Sequence, residues 1–100
     1  MSHRLIIRPE AEADITEAAV WYEAREDGLG LALTAEIYAA IERALHDPPG
    51  YLRLHERPDV RRILVRRFPY RIFYITRADA IVVFAVLHAA RHERHWKRRI

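Results

Sequence analysis

Apolar residues along this chain follow two rhythms, and the change from one to the other divides it. Leu5-Ile6-Ile7 is a short apolar run ahead of Pro9, and it predicts a first strand. From Glu10 onward, Ala11, Ile15, Ala18, Ala19 and Tyr22 recur at helical spacing and mark one buried stripe. Proline suits the first turn of that helix, where its missing N–H would find no partner anyway. Glu10, Glu12, Asp14 and Glu17 crowd the early turns, where the helix dipole favours negative charge. Gly28 and Gly30 interrupt the rhythm. It resumes with Leu33, Ile37, Ala40, Ile41, Ala44 and Leu45, then stops at Asp47-Pro48-Pro49-Gly50. Two amphipathic helices joined by a short glycine turn form an antiparallel hairpin.

From residue 60 the period falls to two. Between Val60 and Phe68, Ile63 and Val65 stand two apart between pairs of arginines, which predicts a strand that Pro69 ends. Tyr70-Arg71-Ile72-Phe73-Tyr74-Ile75 follows as β-branched and aromatic sequence, and Ala78-Asp79 reads as a turn. The unbroken run Ile81-Val82-Val83-Phe84-Ala85-Val86-Leu87 predicts a central strand covered on both faces. These strands stand too close in sequence for crossover helices, so they pair antiparallel. Glu93 to Ile100 is a short basic tail, either helical or frayed. The fold class is α+β: an N-terminal strand, an antiparallel helical hairpin, then a three-stranded antiparallel sheet, in the order β-α-α-β-β-β. With the first strand added, the hairpin is expected to lie on an antiparallel sheet of three or four strands. Residues 1–100 form one domain.

Composition narrows the class. A chain of 100 residues, 51% of them hydrophobic, buries a modest core without staples. It has no cysteine, which removes disulfides, thiolate metal sites and a cysteine nucleophile, and fits a reducing cytoplasm. Met1 to Arg8 lacks the apolar core of a signal peptide, and nowhere do about 18 apolar residues run together. Neither a leader nor a membrane span is expected. Charge says more. Residues 1–50 hold four arginines against ten acids, a balance of −6, whereas residues 51–100 hold twelve arginines and Lys97 against four acids, a balance of +9. Such asymmetry points to a polyanionic or acidic partner for the second half. Sixteen of the seventeen basic residues are arginine, whose planar fork binds phosphate or carboxylate bidentately.

Candidate chemistry gathers in the later strands. Arg61, Arg62, Arg66, Arg67 and Arg71 lie at nearby strand positions, and Arg91 follows the last strand. Arg66 and Arg67, consecutive on a strand, are expected to point to opposite faces, so only one of them serves any single site. Proton transfer near neutral pH falls to His88, Tyr70 or Tyr74, with histidine the natural choice. His88, His92 and His95 stand four and three apart, a spacing that puts them on one helical face and raises a metal site. A solvated basic tail is the competing reading, and Glu93 is the one carboxylate nearby. No metal and no cofactor is expected.

Three strings, in this order, resemble the RelE/ParE superfamily of toxins from type II toxin–antitoxin systems. They are Ala11-Glu12-Ala13-Asp14-Ile15 with Trp21-Tyr22, then Arg66-Arg67-Phe68-Pro69-Tyr70-Arg71-Ile72-Phe73-Tyr74, then Ile81 through Leu87 with His88-Ala89-Ala90-Arg91. The resemblance covers nearly the whole chain. It implies a compact toxin that inhibits growth until a cognate antitoxin masks it in a hetero-oligomeric complex. Two modes of action divide the superfamily. RelE-like members cut mRNA on the ribosome, and ParE-like members poison DNA gyrase.

For metal-free RNA cleavage the candidates are Arg67, Arg71, His88 and Arg91, of which the resemblance places Arg71 where nuclease members carry a functional arginine. Ala89 and Ala90, however, fall where several nuclease members carry a histidine–tyrosine or arginine–tyrosine pair, and alanine transfers no proton. A gyrase poison needs a contact surface, not a proton relay, and arginine and aromatic residues suit one. That surface, for target or antitoxin, is expected to draw on Arg62, Arg66, Arg67, Tyr70, Arg71, Tyr74, His88, Arg91 and Trp96. Plainer roles stand beside these. Trp21 and Tyr22 read as packing residues, Tyr74 as core or pocket lining, and His88 as a strand end held by backbone bonds. The chain also fits a plain structural domain or a decayed toxin.

Overall fold

Strand β1 (Arg4–Ile7) passes directly into helix α1 (Pro9–Glu23) in the computed structural model, which describes residues 4–46, 52–54, 57–90 and 94–99. Arg8 between them is extended (φ −68°, ψ 152°), the conformation a residue before proline prefers. Ala11, Ile15 and Ala18 form the buried stripe of α1. The turn into helix α2 (Leu29–His46) is built around Glu23. Its carboxylate accepts the N–H of Gly28 at 2.8 Å and of Gly30 at 3.0 Å, so the end of one helix satisfies open donors at the start of the next. Gly28 has a φ of +87°, and Gly30 is pressed so close to α1 that an added Cβ would meet the Ala19 carbonyl oxygen at 2.5 Å. Leu33, Ile37, Ala40, Ile41 and Ala44 bury the inner face of α2. The hairpin stands as its spacing predicts. No helix among the described residues is long and apolar enough to cross a membrane.

Five strands make one sheet in the order β1-β5-β4-β3-β2, where β2 is Leu52–Leu54, β3 Arg57–Leu64, β4 Tyr70–Arg77 and β5 Ala80–His88. Strands β3, β4 and β5 run antiparallel, but β1 lies parallel to β5, with Arg4 opposite Ala80 and Ile7 opposite Val83. The sheet is therefore mixed. The whole hairpin separates β1 from the other strands, so no tight turn set its direction. Strand β2, unforeseen in the sequence, pairs antiparallel with β3, and three residues are too few for alternation to register. Strand β3 starts before Val60 and ends at Leu64 instead of Phe68. Val65 N–H donates to Tyr70 O at 2.9 Å and Tyr70 N–H to Phe68 O at 2.8 Å, which closes residues 66–69 into a loop. Pro69 has no N–H to give a ladder.

Both faces of β5 are covered, as its apolar run predicts. Ile72, Tyr74, Ile81, Val83 and Val86 pack beneath the hairpin, while Val60, Phe73, Ile75, Val82, Phe84 and Leu87 form an apolar layer on the opposite face. A bulge adjusts the register: Phe73 opposes Ala85 and Tyr74 opposes Val83, which leaves Phe84 as the extra residue. Helix α3 (Arg94–Lys97) sets Trp96 over this second layer, stacked on Phe73 with ring centroids 5.5 Å apart. Trp96 is 2% exposed, so it belongs to the core and not to a binding surface. Its apolar partners come from strands distant in sequence, which is why the basic tail gave no hint of them. Tyr74 is likewise fully buried, which decides between core and pocket lining.

Candidate partner-binding surface

Register assigns each arginine to a face. Arg61 lies opposite Tyr74 and is 6% exposed beneath the hairpin. Arg62 lies opposite Phe73, and Arg71 opposite Leu64, so both project from the face that α3 partly covers. The Arg71 Nε is buried there with no hydrogen-bond partner among the described residues. Arg66 and Arg67 are exposed in the loop after β3, not on a strand, and so are not bound to opposite faces. Arg67 adopts a left-handed φ of 75° and holds its guanidinium 5.3 Å from the Phe68 ring centroid. Arg91 lies outside the described residues. Among the described residues the candidate guanidinium groups therefore divide between two faces and a loop and do not converge on one surface.

The proton-transfer candidates stand elsewhere. Tyr70 and His88 oppose each other on β4 and β5, with ring centroids 5.3 Å apart on the hairpin side. His88 Nδ1 accepts the N–H of Ala90 at 3.0 Å, which leaves Nε2 to carry the proton of the neutral ring. Tyr70 continues to Tyr22 at 6.2 Å and Tyr22 to Trp21 at 4.9 Å, so an aromatic row crosses from sheet to helix. Trp21 is half exposed, with the Arg25 guanidinium 3.3 Å from its ring centroid. Among the described residues no three His, Asp or Glu side chains gather as metal ligands. His92 and the His95 side chain lie outside them.

The row borders a groove of about 910 Å³ between α1 and the end of β5, lined by Asp14, Glu17, Trp21, Tyr22, Tyr70 and His88 among others. At one side of it the sheet edge is closed in an unusual way. β1 flanks β5 as far as Val83, where Arg8 N–H donates to Val83 O at 2.9 Å. Past that point side chains serve the edge. Asp14 Oδ2 accepts the Val86 N–H at 2.9 Å, and Arg99 Nη1 donates to Phe84 O at 3.2 Å. Arg99 also grips both Asp14 oxygens, at 2.5 and 3.1 Å. The hydrogen bond to Asp14 raises the Arg99 guanidinium above its ordinary range, with the charges of Asp14 and Glu10 adding to it against the effect of burial. Sequence reasoning saw Asp14 only as an acid near a helix start. One signal was available: Asp14 shares the i, i+3, i+4, i+7 stripe of Ala11, Ile15 and Ala18, so a carboxylate there must be partnered.

A helical hairpin laid on a mixed sheet is a fold that this chain shares with solved toxins. The toxin of a chromosomal ParDE system from P. aeruginosa superposes with a TM-score of 0.74 at 19% identity, covering 87% of this chain and 96% of that one. A free-state arginine-to-alanine double mutant of the E. coli toxin RelE gives 0.73 at 20% identity, with both chains covered completely. An archaeal RelE–RelB complex from Pyrococcus horikoshii gives 0.61 at 14% identity, covering 92% of this chain and 100% of that one. Among curated proteins no sequence matches. The family model of the ParE toxin of type II toxin–antitoxin systems, parDE, matches residues 5–93, and the chain belongs to that family.

Proposed function

We propose that this chain arrests growth by ParE-like binding to DNA gyrase in the cytoplasm and is neutralised by a cognate antitoxin in a hetero-oligomeric complex. Arg71 and His88, the cation and the proton carrier that a ribonuclease reading would bring to one phosphate, leave the sheet from opposite faces, and this carries the proposal. Ala89 and Ala90 add no proton donor after β5. A binding mechanism has no such requirement. It needs exposed contact residues, and the loop residues Arg66 and Arg67, with Arg62 and Arg71 on the adjoining face, supply guanidinium groups for one. Membership of the ParE family supports the same reading. The solved complex of an archaeal RelE with RelB supports the expectation of an antitoxin.

The test is biochemical. Purified protein should inhibit supercoiling by gyrase while protein synthesis in a cell-free extract continues. Arrest of translation with cleaved messages would replace this reading with ribosome-dependent mRNA cleavage.

A further inference from the structure

We infer that the β5 edge beyond Val83 is a docking site for an extended partner segment bearing an arginine, and that Arg99 fills it in the free chain as an internal stand-in. Who the partner is rests on the antitoxin-neutralised reading above. What it must carry follows from the site alone.

The track that β1 follows along β5 does not end where β1 leaves it. Among the described residues no strand lies beside Phe84–His88, yet Phe84 O and Val86 N–H are both satisfied, one by Arg99 and the other by Asp14. An extended segment on the same track would offer a backbone N–H to Phe84 O, the usual way a peptide adds to a sheet edge, while Asp14 keeps the Val86 N–H. It would also displace Arg99 from Asp14. The Asp14 side chain is only 14% exposed, so losing its cation without replacement is costly, and a displacing segment must bring one. The present occupant shows which. One guanidinium holds both carboxylate oxygens at once, a pattern that the planar fork of arginine matches and the point charge of lysine does not.

The groove beside the edge sets the rest. Trp21, Tyr22 and Tyr70 form an apolar wall for alternate side chains of an extended segment, and Glu17 joins Asp14 in repelling acidic ones. The segment that docks here is thus apolar and basic. It differs from the acidic segment that the arginines of the loop and opposite face would attract.

The experiment uses the full chain carrying Arg99→Ala, with a fluorescent acetyl-Val-Arg-Val-Phe-Val-amide peptide and its counterpart bearing citrulline, which keeps the shape of arginine without its charge. Fluorescence anisotropy should show the arginine peptide binding R99A about tenfold tighter than the wild type, where Arg99 competes. It should also bind about tenfold tighter than the citrulline peptide, and adding Asp14→Asn should erase that preference. Equal binding of the two peptides, or none, by an R99A chain with wild-type circular dichroism would overturn the inference. Should R99A fail to fold, Arg99→Lys keeps a cation on Asp14 but loses the fork. There the arginine peptide must still bind more tightly than to the wild type, and equal affinity overturns the inference. Dimerisation of R99A without peptide, seen by sedimentation, would assign the edge to a second copy and also overturn it. Growth and gyrase assays use the wild type without peptide, so they can fail while arginine selectivity holds, and the reverse.

Discussion

Tyr70 and His88 face each other across β4 and β5 on the hairpin side of the sheet, while Arg71, the next residue after Tyr70, leaves on the other. The sheet itself separates His88 from the Arg71 guanidinium. That separation makes the two modes of toxicity distinguishable by mutation.

His88→Asn tests it first. Asparagine Oδ1 can take the place of Nδ1 and keep the bond from Ala90 N–H, but an amide cannot act as an acid or a base. Toxicity in cells lacking antitoxin should be unchanged, with a stability cost below about 1 kcal/mol. Loss of toxicity in a variant with an unchanged melting temperature would place His88 in the chemistry and count against gyrase binding.

Arg67→Gly separates contact from folding. Arg67 holds a left-handed φ of 75°, which costs an ordinary residue about 1 kcal/mol and glycine almost nothing. Relief of that strain offsets the greater freedom of the unfolded chain, so the melting temperature should hold or rise while growth inhibition weakens. A variant as toxic as the wild type would remove Arg67 from the contact surface.

Gly30→Ala probes the hairpin. The new Cβ would meet the Ala19 carbonyl at 2.5 Å, so the helices must part, and overpacking of this kind costs about 1–3 kcal/mol. Urea denaturation should show the lower midpoint, and an unchanged midpoint would mean that the helix crossing is looser than described.

Trp96→Ala removes the lid of the second apolar layer. Phe73 and Phe84 lose their stacking partner, and truncating a buried tryptophan costs about 3–5 kcal/mol. A loss below about 1 kcal/mol would show that the tail contributes little to the fold.

Legibility in the sequence followed the range of the interactions. Ile15, Ile37 and Val83 announced their elements because helical and strand periods are local properties. The parallel pairing of β1 and the burial of Trp96 were not legible, since each depends on residues distant along the chain. Arg66 and Arg67 follow directly on the apolar run Ile63-Leu64-Val65, yet Pro69 and the Val65–Tyr70 bond bend them into a loop. The partnership of Asp14 with Arg99 spans 85 positions, and no spacing rule reaches so far. Arginine content raised the expectation of a basic contact surface; the division of the described arginines between two faces and a loop emerged only in three dimensions.

The most direct measurement follows the order of failure after induction of this chain without antitoxin, by pulse-labelling with thymidine and methionine. Gyrase poisoning predicts that thymidine incorporation falls first while methionine incorporation persists. An immediate fall in methionine incorporation, with messages cut and DNA synthesis continuing, would contradict it.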